Sequence, residues 1–169
     1  MRKKVAILFD GPNYHRSLVE QGFRLDLDAF EKYCQEKLGD VVVKRYYASG
    51  GEVLDPKFVT VLISKEYEVV VTPQVDSQII VDATNMIAKR EANVIVLVSA
   101  DGSYFPLIKY AYENGAKVVI AHDQSFRGFA MLLKEAIKRG MADYMNIRAV
   151  SYTHLRAHET EAELVCRLL

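Results

Sequence analysis

The sequence predicts an α/β protein built on a parallel, doubly wound sheet. Short apolar runs rich in valine and isoleucine alternate with segments in which apolar residues recur at helical spacing. The linkers are short, which favours right-handed strand–helix–strand crossovers that cover both faces of the sheet. Two of the apolar runs, residues 5–9 and 94–99, lead into an aspartate and a glycine, as expected for buried strands of a parallel sheet. One domain is predicted.

Local signals mark the ends of the predicted helices. Asp26 is placed to cap the helix that Gly39 stops, and Pro56 suits the first turn of the next helix. Gly22 and Gly140 are further helix stops. In chain order we predict a strand over 5–9, helices over 13–21 and 27–38, a strand over 41–47, a helix over 56–65, a strand over 68–72, a helix over 76–90, a strand over 94–99, a helix over 105–113, a strand over 117–121, a helix over 125–139 and a strand over 143–147.

The composition is that of an ordinary soluble globular protein. Of 169 residues, 50% are hydrophobic and 26% are charged, and no window approaches 18 uncharged apolar residues, so no membrane partner is predicted. The two cysteines fit a reducing cytoplasm. Because 22 basic residues balance 22 acidic ones, contact with a nucleic acid would depend on a local patch. Assembly into a homo-oligomer stays open at this point.

The last twenty residues, 150–169, do not resemble the rest of the chain. VSYTHLRAHET resembles the translation of a sequencing adaptor, and LVCRLL resembles its continuation. We therefore predict a domain over residues 1–149 and a non-native tail over 150–169, with a genuine terminal helix as the alternative. On this interpretation His154, His158 and Cys166 are not candidate ligands.

Asp10 and Asp101 are the acids that follow the two apolar runs. The carboxyl ends of parallel strands form the edge of the sheet at which open α/β proteins bind ligands. Each aspartate alone could be a turn residue. Two together would repel each other unless a cation neutralises them, and Mg²⁺ prefers such oxygen ligands. A divalent metal site able to cleave a phosphodiester is therefore predicted, with one or two ions left open.

Asp76 and Asp82 lie in the predicted helix over 76–90. Their spacing puts them about 120° apart around an ideal helix, so they cannot both point at one atom. Asp76 is expected to cap the helix, from where its carboxylate could also reach the metal site. Apolar residues surround Asp82, where a carboxylate is rarely buried without a partner, and a solvated position is the alternative.

The three motifs FDGPNY, VDSQIIVDATNMIA and VIVLVSADGSYFPLIKYAYENGAKVVI, in this order, resemble the NYN domain, in particular its LabA-like bacterial branch. That family belongs with the PIN-like metal-dependent ribonucleases, and the resemblance covers about residues 4–147. It implies a PIN-like three-layer α/β/α sandwich whose central parallel sheet has five or six strands. It also implies RNA as substrate, Mg²⁺ or Mn²⁺ as cofactor and Asp10, Asp76, Asp82 and Asp101 as catalytic residues. Of these, Asp10, Asp76 and Asp101 would bind the metal.

The chain departs from the family pattern in its third motif. A second acid and then Phe usually follow the first acid, and here Ser103 and Tyr104 stand at those positions. Serine can hold a metal-bound water but brings no negative charge, which predicts weaker metal binding. Pro73 and Gln74 replace the usual Lys-Gly ahead of the helix motif.

Four residues are candidates for substrate binding. Asn13 could bond a phosphate, orient Asp10 or cap a helix, and Ser103 could contact the substrate beside the metal. Lys44 and Arg45 lie in a basic and aromatic strand that could meet an RNA backbone, although such strands more often serve packing.

The preferred hypothesis is a metal-dependent endoribonuclease that hydrolyses RNA. The alternative is an RNA- or protein-binding module that keeps the fold with little or no turnover, which Ser103 and the balanced charge favour. A phosphatase of the haloacid dehalogenase type is discounted because Pro12 stands where its second aspartate should be, and the glycine patterns of Rossmann and P-loop sites are missing.

Overall fold

The computed structural model describes residues 2–151, and within them six strands alternate with six α-helices. A π-helical turn over His15–Val19, a 3₁₀ turn over Gly102–Tyr104 and a further helical segment over residues 147–151 complete the regular elements of this part. In chain order the strands and α-helices are β1 (Lys4–Asp10), α1 (Gly11–Tyr14), α2 (Leu27–Lys37), β2 (Asp40–Ser49), α3 (Pro56–Ser64), β3 (Glu68–Thr72), α4 (Val75–Ala88), β4 (Val94–Val98), α5 (Phe105–Glu113), β5 (Lys117–His122), α6 (Met131–Lys138) and β6 (Asp143–Asn146).

The six strands form one sheet in the order β3-β2-β1-β4-β5-β6, and every neighbouring pair is parallel. The chain starts in the middle at β1, builds outward through β2 and β3, and then returns to the middle at β4. Parallel open sheets bind ligands outside the carboxyl ends of the two strands where the order reverses. In this sheet those strands are β1 and β4, so the crevice lies between Asp10 and the segment that follows Val98.

Two hydrophobic cores cover the two faces of the sheet. Along β1, Ala6 and Leu8 pack with side chains of α4, α5 and α6, whereas Ile7 and Phe9 pack with those of α1, α2 and α3. This alternation follows from the two-residue period of a strand, because both faces of a parallel sheet are buried. The predicted three-layer α/β/α sandwich with a central parallel sheet is thus confirmed, with six strands.

Two predicted helices differ from the structure. The helix expected over 125–139 begins only at Met131, because Asp123 holds the segment before it in a turn. Its Oδ1 accepts hydrogen bonds from the backbone nitrogen (2.9 Å) and hydroxyl (2.6 Å) of Ser125. The helix expected over 13–21 is instead the single turn α1 followed by the π-helical turn.

The end of the described part belongs to the fold. Residues 147–151 are helical, and Val150 and Ser151 are only 8% and 4% exposed, so these first two residues of the predicted tail pack on the domain. The rest of that prediction, residues 152–169, lies outside the described residues. Among residues 2–151 no helix is long and apolar enough to cross a membrane.

Candidate functional site

Asp10 ends β1 and lies at the bottom of the crevice, with only 5% of its surface exposed. Its Oδ2 accepts hydrogen bonds from the hydroxyls of Tyr104 (2.9 Å) and Ser99 (3.3 Å), and its Oδ1 accepts one from the backbone nitrogen of Asn13 (3.2 Å). A carboxylate has about four acceptor positions, so one position remains, on Oδ1. Burial raises the pKa of Asp10; the hydrogen bonds oppose this rise, and the negative charge of Asp101 adds to it.

Asp101 lies beside Asp10 because one serine joins them. The hydroxyl of Ser99, just past β4, donates to Asp10 and accepts from the backbone nitrogen of Asp101 at 3.1 Å. Oδ1 of Asp101 accepts from the backbone nitrogen of Ser103 at 2.9 Å and thereby caps the 3₁₀ turn. Within residues 2–151 its Oδ2 accepts no hydrogen bond, and the Ser103 hydroxyl oxygen is buried without a partner. The structure therefore links Asp10 to the backbone of Asp101 through the hydroxyl of Ser99.

Tyr104 is fully buried, and its phenol reaches the same crevice. Burial raises the pKa of the phenol, and the negative charges of Asp10, Asp76 and Asp101 raise it further. The hydroxyl therefore stays protonated and acts as a donor toward Asp10.

Asp76 lies in the first turn of α4 and is half-buried. The prediction that it caps the helix was wrong, because α4 begins one residue earlier and Gln74 takes the cap position. Its Oδ1 accepts a hydrogen bond from the backbone nitrogen of Ser77 at 2.8 Å, which is a contact within that first turn. Within the described residues Asp76 shares no hydrogen-bond partner with Asp10 or Asp101, and its negative charge acts on the phenol of Tyr104.

Asp82 has no partner in common with Asp10 or Asp101 within residues 2–151. It accepts from the hydroxyl of Tyr47 (2.7 Å) and the amide of Gln78 (2.8 Å), and it forms an ion pair with Arg45 at 3.5 Å. These contacts fasten α4 to β2. Asp76 and Asp82 thus share no hydrogen-bond partner within residues 2–151. The carboxylate of Asp82 is half-buried among apolar residues, and it has the hydrogen-bond and charge partners that a buried charge requires.

Lys44 and Arg45 lie on opposite faces of β2 and below the carboxyl edge of the sheet, since they pair with Ile7 and Leu8 of β1. Lys44 forms an ion pair with Glu31 at 3.3 Å, and its ammonium lies 5.3 Å from the centre of the Tyr67 ring. Arg45 pairs with Glu68 at 2.9 Å as well as with Asp82. Their charges are thus already paired, and contact with RNA stays a prediction.

A buried polar chain, which the sequence did not reveal, holds Asn13 in place. Oδ1 of Asn13 accepts from the backbone nitrogen of Ala100 at 2.9 Å, and the Ser17 hydroxyl donates to the Asn13 carbonyl at 2.5 Å. Nδ1 of His122 accepts from the backbone nitrogen of Asp123 at 2.7 Å, so Nε2 carries the hydrogen and donates to Ser17, also at 2.7 Å. The chain ties α1 to the segment after β4 and so fixes Asp10 relative to Asp101.

The side-chain atoms of the crevice that could bind a metal ion are all oxygen atoms, which suits Mg²⁺ and Mn²⁺. Across residues 2–151, however, no three or more His, Cys, Asp or Glu residues are grouped closely enough to hold a metal ion. The free acceptor position of Asp10, Oδ2 of Asp101 and the Ser103 hydroxyl remain. Mg²⁺ is commonly held by one or two carboxylates and keeps several waters. The residues therefore fit one hydrated ion.

Comparisons with known proteins agree with this fold. The family model of the NYN domain matches residues 4–139 of the chain. The uncharacterized protein MJ0482 of Methanocaldococcus jannaschii is 29% identical over 143 residues, which are 84% of this chain and 54% of that protein. The chain thus spans about half the length of this relative. A crystal structure of a protein of unknown function, VPA0982 from Vibrio parahaemolyticus, has a TM-score of 0.67 at 22% identity and covers 85% of this chain and 91% of that one. This similarity shows a shared fold.

Proposed function

The chain belongs to the NYN domain family, and we propose that it is a metal-dependent ribonuclease that hydrolyses RNA phosphodiester bonds. The family is part of the PIN-like nuclease superfamily. The observation that carries the proposal is the link between Asp10 and Asp101 through one serine hydroxyl, at the point where the strand order reverses. The negative charge of Asp101 raises the pKa of Asp10, and a divalent ion would relieve the repulsion between the two carboxylates.

Asp10 and Asp101 are the residues that would hold Mg²⁺ or Mn²⁺, with Asp76 adding negative charge at the rim. When bound, the ion would supply positive charge to activate water and to stabilise the charge that develops on the phosphate. Asn13 is suited to bind a phosphate oxygen, because its Nδ2 makes no hydrogen bond within residues 2–151 while its Oδ1 is held by Ala100. The hydroxyl of Ser103, which has no partner within residues 2–151, is a further candidate donor to the substrate. For Asp82, its contacts to Tyr47 and Arg45 favour a supporting role.

The direct test is cleavage of a fluorescently labelled single-stranded RNA with and without Mn²⁺. Asp10→Asn and Asp101→Asn should each reduce Mn²⁺-dependent cleavage by at least about a hundredfold, because each removes charge from the site. Asp26→Asn is the matched control, because Asp26 only caps α2 and asparagine caps a helix equally well. Circular dichroism would verify the fold of each variant. A wild-type protein that cuts no RNA with Mn²⁺ or Mg²⁺ contradicts the proposal.

A second candidate function is RNA or protein binding without turnover. It is favoured by Ser103 in place of an acid and by the lack of a group of three or more metal-ligating side chains within residues 2–151. RNA binding that is independent of metal and is not followed by cleavage would support this function. The same cleavage assay, read beside a gel-shift titration, separates the two.

A further inference from the structure

Tyr104 occupies the middle of the candidate site, yet the proposed chemistry gives it no task. Its side chain is fully buried, and its hydroxyl donates to Oδ2 of Asp10 at 2.9 Å. The hydroxyl of Tyr104 therefore uses hydrogen-bonding capacity of Asp10 that a cation would otherwise use.

The hydrogen bonds to Asp10 determine what the carboxylate can offer to a cation. Oδ2 accepts from both Tyr104 and Ser99, which uses both of its lone pairs. Oδ1 accepts from the backbone nitrogen of Asn13 and keeps one lone pair. A cation that uses both oxygens of Asp10, or two cations that share Asp10, must therefore displace a hydroxyl. Of the two hydroxyls, that of Ser99 is displaced less easily, because it also accepts a hydrogen bond from the backbone nitrogen of Asp101.

We propose that the hydroxyl of Tyr104 is a latch on Asp10, which weakens the binding of a divalent ion and limits the site to one ion. The latch rests on the proposed metal site at Asp10 and Asp101. Its donor occupies Oδ2 in the metal-free protein, so an ion can be held tightly by both oxygens of Asp10 only when this hydrogen bond is given up. A phenylalanine at this position would keep the ring in its apolar surroundings and remove only the donor. Tyr104 is thus a residue that sets metal affinity.

The test is the dissociation constant for Mn²⁺, measured by calorimetry and by electron paramagnetic resonance on wild type and Tyr104→Phe. We expect Tyr104→Phe to bind Mn²⁺ about tenfold more tightly, which is the factor that a hydrogen bond to a charged group represents. Tyr47→Phe is the matched control, because the buried Tyr47 hydroxyl donates to the carboxylate of Asp82 at 2.7 Å. Its Mn²⁺ affinity should equal that of wild type. An unchanged or weaker affinity in Tyr104→Phe, with its fold verified by circular dichroism, overturns the latch.

A second measurement uses the wild-type protein, so that it does not depend on the folding of a variant. In protein labelled with ¹³C at the tyrosine ζ carbon, saturating Mg²⁺ should shift the resonance of Tyr104 and leave that of Tyr47 in place. A Tyr104 resonance that does not move at saturation also overturns the latch.

The latch and the ribonuclease can fail separately. Tighter Mn²⁺ binding by Tyr104→Phe together with no RNA cleavage by any form supports the latch and contradicts the ribonuclease. Metal-dependent cleavage by wild type together with equal Mn²⁺ affinity in Tyr104→Phe supports the ribonuclease and contradicts the latch.

Discussion

His122 should make the stability of the protein fall as the pH drops below neutral. Its ring is completely buried at the end of β5, where Nε2–H donates to Ser17 and Nδ1 accepts from the backbone nitrogen of Asp123. Burial lowers the pKa of His122 from 6.5 to about 4; the positive charge of Arg148 lowers it further, while Asp123 opposes the shift. A protonated ring would also lose Nδ1 as an acceptor.

The magnitude follows from the difference between the folded and unfolded pKa. Between pH 6.5 and 4 the unfolded chain binds a proton at His122 that the folded protein does not bind, so the free energy of unfolding rises with pH. The contribution is complete above pH 6.5 and is lost as the pH falls toward 4. At 1.36 kcal/mol per pKa unit this amounts to about 3 kcal/mol.

The assay is urea unfolding at several pH values from 7 to 4, on wild type and on His122→Gln, whose amide can still donate to Ser17. The unfolding free energy of wild type should fall relative to that of His122→Gln by about 3 kcal/mol over this range. His15→Gln is the control, because the His15 side chain is 54% exposed. A difference in unfolding free energy between wild type and His122→Gln that does not change with pH would contradict a lowered pKa of His122.

Three further outcomes are expected. Gly11→Ala should lose about 1–3 kcal/mol of unfolding free energy in urea, because a Cβ there would lie 2.3 Å from the Tyr47 carbonyl oxygen; Gly50→Ala, with nothing within 4 Å, should lose far less. Asp10→Asn should raise the melting temperature at pH 7. Burial raises the pKa of Asp10 in the folded protein above its unfolded value of 3.8, so the ionised carboxylate destabilises the fold at neutral pH. Below pH 3.8 Asp10 is protonated in both states, and the gain in melting temperature should vanish. Ser103→Asp should bind Mn²⁺ about tenfold more tightly by calorimetry, because it adds a carboxylate, and equal affinity would show that residue 103 does not face the ion.

The sequence predicted the fold well wherever apolar periodicity and helix signals agreed. The bounds of β3 and α5 match the prediction to the residue, and Asp26 caps α2 as expected. The start of α6 could not be predicted in this way, since Phe126 and Phe129 have helical spacing. Both instead fold back against the His122 ring, at 5.5 and 5.8 Å between ring centres.

For the candidate site, the sequence predicted that Asp10 and Asp101 lie at one edge of the sheet, and it missed the contacts that hold them there. Asp10 and Asp101 were found because each follows a buried strand, and parallel strands bring their carboxyl ends to one edge. Ser99, Ser17 and the hydroxyl of Tyr104 act through contacts between distant parts of the chain, which no local pattern encodes. The one available signal was a polar residue, Ser99, at the end of an otherwise apolar run.

The position of a bound ion is the most direct test of the proposed metal site at Asp10 and Asp101. Crystals soaked in Mn²⁺ and measured at the manganese absorption edge should show one anomalous peak between the carboxylates of Asp10 and Asp101 in wild type. The peak should be missing in Asp10→Asn. At saturating Mn²⁺, a crevice with no peak, or a peak at Asp82 instead, would contradict the claim that Asp10 and Asp101 hold the ion.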